Sequence, residues 1–206
     1  MKCSVVIPCL NEAATLDKAL DLAKALIEKF DGDGELVVAD NGSTDGSQEI
    51  ATACGARVVN ADRKGYGFAL LTGISAAQGD VIVMGDADAT YDFREAEPLV
   101  RSVLNRECDL AMGSRLRGNI EKGAMPFLHR YLGTPVLTFL IRLFFGIKIS
   151  DCNCGMRAFS KVAFEKMHLI SGGMEFASEM LIKSAIVGLR VKETPISLHK
   201  DIRDRE

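Results

Sequence analysis

Apolar residues along this chain fall into two rhythms. Short runs rich in Val and Ile read as strands: Ser4-Val5-Val6-Ile7-Pro8, Glu35 to Ala39, Arg57 to Asn60, and Val81 to Met84. The last is apolar at every position, as expected of a central strand covered on both faces. Between the runs the spacing changes to about 3.6 residues. It predicts a helix that starts at Asn11-Glu12 and carries Leu16, Leu20, Ala23, Ile27 and Phe30, a short helix ending near Ala53, and another from about Phe68 to Ala77. The alternation continues with a helix near Glu95 to Leu104, strands at Leu110 to Gly113 and Met156 to Phe159, helices at Lys161 to Met167 and Glu175 to Val187, and a strand at Arg190 to Thr194. Strands alternating with helices imply βαβ units, hence an α/β, doubly wound fold with a mainly parallel sheet and helices on both faces. No linker or repeat divides residues 1–206, so one domain is expected.

Composition narrows the class. With 48% hydrophobic and 26% charged residues the chain can bury a core, which excludes a disordered protein. A net charge of −3 argues against a general nucleic-acid binder, but the charge is uneven: Arg115 to Lys148 carries +5 and the remainder −8. The six cysteines, at positions 3, 9, 54, 108, 152 and 154, show neither a disulfide framework nor paired zinc-ligand spacing, and read as reduced thiols of a cytoplasmic protein. Met1-Lys2-Cys3-Ser4 passes straight into a strand, leaving no room for a signal peptide.

The candidate chemistry sits where strands stop. Pro8 with Asn11 and Glu12, then Asp40 to Asp45, then Asp86 and Asp88, each follow an apolar run, and open α/β sheets bind ligands outside the carboxyl ends of their strands. In Gly85-Asp86-Ala87-Asp88 two carboxylates could hold a hard divalent cation whose other positions are filled by water and phosphate oxygens. An ordinary acidic turn has the same composition. Clustering so many acids on one sheet edge favours the first reading, because carboxylates repel unless a cation offsets them. Arg63 and Lys64 could balance a diphosphate. His129, His168 and His199 lack ligand spacing, and Glu175 with Glu179 is either a solvated helix face or a carboxylate brought to the site by the fold.

The successive stretches Val6-Ile7-Pro8 with Asn11-Glu12, Val37-Val38-Ala39-Asp40-Asn41-Gly42-Ser43-Thr44-Asp45, Gly85-Asp86-Ala87-Asp88 and Gly113-Ser114-Arg115 are similar, in order and spacing, to the motifs of glycosyltransferase family 2, which has the GT-A fold. Asp151, Gly155, Arg157 and Phe159 make the chain most like the dolichyl-phosphate mannose synthase and polyprenyl-phosphate glycosyltransferase group. The resemblance implies an inverting enzyme that moves a hexose from a nucleotide-diphosphate sugar, GDP-mannose or UDP-glucose, to a polyprenyl phosphate such as dolichyl or undecaprenyl phosphate. It implies a donor pocket of Pro8, Asn11, Glu12, Asp40, Asn41, Ser43, Lys64, Gly67 and Asp86. Asp86 and Asp88 would bind Mg2+ or Mn2+, with Asp88 and Arg115 as the catalytic residues, and Arg115, Arg130 and Thr134 would hold the acceptor phosphate. Thr90 stands where some relatives carry a Gln near the metal, and Phe127-Leu128-His129 replaces a Trp-bearing segment.

The acceptor side also has a reading from the residues. Met125 to Ile147 is strongly apolar but broken by Arg130 and Arg142, short of the roughly 18 uncharged residues of a membrane span. A helix over about 124–147 would either pack into the core or lie on a membrane, where anionic headgroups attract the basic segment. The second choice places the protein at the cytosolic membrane face. The end, Asp201-Ile202-Arg203-Asp204-Arg205-Glu206, reads as a charged, fraying tail. Two rivals remain: a sugar-nucleotide nucleotidyltransferase, although Pro8-Cys9-Leu10-Asn11-Glu12 occupies the place of its Gly-rich signature, and a non-catalytic nucleotide-sugar binding module.

Overall fold

The all-apolar run Val81–Met84 is buried at every residue and lies at the centre of a seven-stranded sheet. The protein is described by a computed structural model covering residues 2–30 and 34–203. In chain order it contains β1 (Cys3–Cys9), α1 (Leu16–Glu28), β2 (Gly34–Asp40), α2 (Ser47–Ala53), β3 (Arg57–Asn60), α3 (Tyr66–Ala76) and β4 (Val81–Met84). A 3₁₀ turn, Phe93–Ala96, leads into α4 (Glu97–Leu104) and β5 (Leu110–Ser114). Then come a π-helical turn, His129–Gly133, that runs into α5 (Thr134–Phe145), and β6 (Arg157–Ser160), α6 (Lys161–Met167), α7 (Phe176–Ile186) and β7 (Val191–Pro195).

The sheet order is β3-β2-β1-β4-β6-β5-β7. Every neighbouring pair is parallel except those made by β6, which runs antiparallel between β4 and β5. From β1 the chain first adds β2 and β3 on one side and then crosses to β4 on the other. That reversal opens a crevice at the carboxyl ends of β1 and β4, which are in register through Val6 and Met84. α3 packs over β1 to β3, while α1 packs against α2 and the Phe93–Ala96 turn. Right-handed crossovers put these two layers on opposite faces.

Three expectations change. The first helix begins at Leu16, not at Asn11-Glu12. The amides of Asn11 and Ala13 are instead taken by Ser43 and Asp45 of the β2–α2 loop and that of Glu12 by Ser47 at the start of α2, and Asn11 adopts a positive φ of 56°. Backbone donors satisfied by a neighbouring loop have no need of a helical turn. Within the expected helix of about 124–147, only residues 127–145 are helical, and α5 buries only Thr134, Thr138 and Ile141 and leaves Val136, Phe139, Leu140, Leu143 and Phe144 exposed. Asp201 to Arg203 does not fray: Arg203 folds back onto Glu12 and Asp88. Met1 and Asp204 to Glu206 lie outside the described residues.

Arg157 on β6 is fully buried and donates to the carbonyls of Cys152, Cys154 and Ala177, tying the approach to β6 to the start of α7. The contact of α3 with the sheet depends on Gly73, where a Cβ would come within 2.5 Å of Val6 Cγ1 and 3.0 Å of Ala39 Cβ. Helix propensity would favour alanine there by about 1 kcal/mol. Overpacking against a β-branched residue of a central strand costs about 1–3 kcal/mol and outweighs it. Gly73→Ala is therefore expected to lower stability by about 1 kcal/mol, read as a lower urea midpoint at unchanged m-value.

Candidate active site

A cleft of about 570 Å³ opens at the crevice between β1 and β4. One wall comes from the end of β1 through Pro8, Cys9, Leu10 and Glu12; the loop before α3 adds Lys64 and Gly65 and the first residue of α3 adds Tyr66; the turn after β4 supplies Asp86, Ala87 and Asp88. Asn41, Ala69, Met174 and Arg203 complete the lining.

The two acids of the turn have different surroundings. Asp86 Oδ1 accepts a 2.8 Å hydrogen bond from the Tyr66 hydroxyl, and a Cβ on Gly155 would fall 2.7 Å from Oδ2, so only glycine leaves the carboxylate room. Burial, reinforced by the nearby Asp88 charge, raises the Asp86 pKa to about 6. Burial followed by the Asp86 charge also raises the Tyr66 phenol, which keeps its proton and remains a donor. Asp88 Oδ1 accepts from the Thr90 amide at 3.0 Å and the Thr90 hydroxyl at 2.7 Å, while Ala89 takes a positive φ of 54°. This tight turn aims Asp88 Oδ2 into the cleft. There it meets Arg203 Nη2 at 3.2 Å, and Arg203 Nη1 bonds Glu12 at 2.5 Å.

The donor set suits a divalent cation in part. Among the described residues no group of three or more His, Cys, Asp or Glu side chains could enclose a metal. Asp86 and Asp88 offer two hard oxygen ligands, which matches a Mg2+ or Mn2+ completed by phosphate oxygens and water. A guanidinium already rests on Asp88 and Glu12, so this corner is built for positive charge.

Of the residues singled out from sequence, Pro8, Glu12, Asn41, Lys64, Asp86 and Asp88 line the cleft. Asn11, Asp40, Ser43 and Gly67 do not, and shape its loops instead. Asp40 is buried and accepts from the amides of Gly42 and Ser43 and from Gln48; Ser43 accepts from the Asn11 amide, and the Asn11 side chain accepts from the Thr44 amide. Gly67 lets α3 approach the 171–173 loop, since a Cβ there would fall 2.2 Å from the Ser171 carbonyl. Lys64 Nζ donates to the Asn41 carbonyl at 2.6 Å, whereas Arg63 stacks on Phe68 at 3.6 Å.

Arg115, Arg130 and Thr134 lie outside the cleft lining. Arg115 spends Nε and Nη2 on a bidentate pair with the fully buried Asp151, each bond 2.7 Å. Burial opposes its charge, but Asp151 more than offsets this, so the guanidinium stays above its usual pKa. Asp151 accepts from the Asn153 amide, and Asn153 Nδ2 donates to the Thr134 hydroxyl, a chain that joins Arg115 to the start of α5. Arg130 lies four residues before Thr134 and sits 5.4 Å from the Tyr131 ring. Glu179 is occupied by the amides of Ile170 and Ser171 and by Lys183, and Glu175 by the Gly173 amide. The sequence reading missed Tyr66, Met174 and Arg203. Tyr66 had a local signal in its place between Gly65 and Gly67; Arg203 had none, because it arrives from a distance of 191 residues.

A family profile described as Glycosyl transferase family 2 matches residues 4–167. The low-salt glycan biosynthesis hexosyltransferase Agl6 of Haloferax volcanii is 47% identical over 196 residues, covering 95% of this chain and 47% of that protein. A dolichyl-phosphate hexose transferase of the same organism is 33% identical, covering 94% of this chain and 81% of its own length. This chain thus spans about half of the first relative and four fifths of the second. Among solved structures, glucosyl-3-phosphoglycerate synthase from Mycobacterium tuberculosis, crystallised with Mn2+, UDP and glucosyl-3-phosphoglycerate, superposes with a TM-score of 0.78 at 27% identity, covering 100% of this chain and 73% of that one. Strand-end motifs, sheet topology and these similarities agree: the chain belongs to glycosyltransferase family 2.

Proposed function

We propose that this protein is a metal-dependent hexosyltransferase that moves a sugar from a nucleotide-diphosphate donor to a polyprenyl phosphate, with inversion, at the cytosolic face of a membrane. The observation that carries the donor half is the convergence of Asp86, Asp88, Glu12 and Lys64 on one cleft at the β1–β4 crevice. Pro8 and Asn41 would face the base and ribose, Lys64 the diphosphate, and Asp86 with Asp88 the cation. A bound Mg2+ or Mn2+ supplies Lewis-acid stabilisation of the departing diphosphate. The synthase crystallised with Mn2+ and UDP supports the cation and a uridine donor, with GDP-mannose as the alternative.

The acceptor half rests on the likeness to a dolichyl-phosphate hexose transferase and on α5. Arg115, Arg130 and Thr134 would hold the acceptor phosphate, Arg115 being locked in direction by Asp151. A phosphate monoester is largely ionised at neutral pH, its second pKa being about 6, so it can attack without a general base. This suits a site in which Glu179 is held by the amides of Ile170 and Ser171 and by Lys183, and Glu175 by the Gly173 amide. Phe139 is 61% and Phe144 72% exposed, beside Arg142, the arrangement of a helix that lies in a bilayer interface. Among the described residues no helix is long and apolar enough to cross a membrane.

Three outcomes are expected. With radiolabelled UDP-glucose or GDP-mannose, a short polyprenyl phosphate and Mn2+, label becomes lipid-soluble, and Asp88→Ala lowers the rate about 100-fold or more, as for loss of one charge-stabilising group. Label transferred equally well by Asp88→Ala would remove Asp88 from the reaction, and tight donor binding without any transfer would favour a binding module. Replacing Phe139 and Phe144 by Ser is expected to reduce co-sedimentation with anionic liposomes while leaving the unfolding midpoint in place; undiminished lipid association would return α5 to a purely structural role. The third outcome concerns pH. Because Asp86 titrates near pH 6 when folded and about two units lower when unfolded, its ionisation costs stability as pH rises through that window. In cation-free buffer Asp86→Asn should raise the melting temperature at pH 7.5, the gain fading as pH falls from 6 towards about 4.

A further inference from the structure

Arg203 is 12% exposed, and its guanidinium contacts three carboxylates: Glu12 at 2.5 Å, Asp201 at 2.5 Å and Asp88 at 3.2 Å. Asp201 holds it in place, with bonds to the Arg203 amide at 2.9 Å and to Nε at 2.8 Å, so the side chain is braced by its own segment and aimed across the cleft. Its Asp88 partner is Oδ2, the oxygen left free once Thr90 has taken Oδ1. Arg203 therefore holds the Asp88 oxygen that faces the cleft, the one a divalent cation at this turn would take.

We propose that Arg203 is the resident counter-cation of the donor site, exchanged for the divalent cation when a nucleoside diphosphate binds. This rests on the donor-site reading above and adds how that site is governed. Without ligand, Arg203 bridges Glu12 and Asp88 and offsets the charge of Asp88, which lies close to Asp86. A divalent cation arriving alone must take Asp88 from Arg203 and leave two positive groups side by side. A diphosphate arriving with it offers the displaced guanidinium a dianionic, fork-accepting partner. Cation and diphosphate consequently bind cooperatively, and the Asp201–Arg203 segment serves as a strap that prefers the complete pair over either part. The coupling is reciprocal: each ligand strengthens the other by the same factor.

The test is a Mn2+ titration followed by the EPR signal of free Mn2+, performed without nucleotide and with saturating UDP or GDP. Wild type is expected to bind Mn2+ weakly alone and roughly tenfold or more tightly with one nucleotide, within the usual range of coupling factors. In Arg203→Ala and Arg203→Gln, Mn2+ alone should bind several-fold more tightly than in wild type, and the enhancement by nucleotide should shrink towards none. Arg203→Lys, which keeps the charge, should restore part of the enhancement. Circular dichroism and melting temperature establish that each variant is folded. Folded Ala and Gln variants that bind Mn2+ alone no better than wild type, with the nucleotide enhancement intact, would overturn the exchange while leaving the donor site standing. Failure of wild type to bind Mn2+ with either nucleotide would remove the donor-site reading and the exchange with it.

Discussion

Negative charge confined at one edge of the sheet is the constraint on which the rest of this structure depends. Glu12, Asp86 and Asp88 meet where β1 and β4 end, half-buried along one cleft, with burial felt most at Asp86. Each is held by a specific partner: Asp86 by a phenol that cannot easily lose its proton, Asp88 by both donors of Thr90, and Glu12 and Asp88 together by Arg203. A low-dielectric edge intensifies both the repulsion among the acids and the pull on any cation that enters. The fold thus stores the electrostatic demand that the proposed chemistry would use.

The loops beside these acids are held by one another more than by the helices they precede. Asn11 donates its amide to Ser43 and accepts from the Thr44 amide across the β1 and β2 loops, Asp45 and Ser47 extend that link, and Asp40 gathers the amides that follow it. Lys64 approaches the Asn41 carbonyl through space that Gly42 leaves open, since a Cβ there would fall 2.2 Å from its Nζ. Such bracing costs little helix and leaves the cleft with fixed walls.

What the sequence revealed and what it concealed divide along the range of the interactions. The strands at Val5 to Ile7 and Val81 to Met84, and the acids just beyond them, were legible because alternation of strand and helix is a local property and carboxyl ends of parallel strands share an edge. The start of the first helix was misread because Asn11 and Glu12 look like cap residues, yet their amides are claimed from another loop. The resemblance implies a pocket role for Asp40, whose carboxylate in the structure accepts from the amides of its own loop. Arg203 was read as part of a fraying tail because nothing near it in sequence hints at Glu12 or Asp88. The antiparallel course of β6 was equally hidden, since pairing direction leaves no mark in a four-residue run.

That antiparallel strand has a geometric consequence. β4 ends at the acids and β5 ends at Arg115, and β6 lies between them with its beginning at the same edge. The segment entering β6 therefore touches both sides at once: Gly155 abuts Asp86, and Asp151 clasps Arg115, within five residues. Arg157 anchors this segment from beneath. It acts as a ruler of fixed length between Asp86 and Arg115, and under the proposed function it would set the gap between the leaving group and the incoming phosphate. Since α5 is hydrogen-bonded to it through Thr134 and Thr138 and turns its other face outward, that outer face can diversify in shape and greasiness while the distance between Asp86 and Arg115 stays the same.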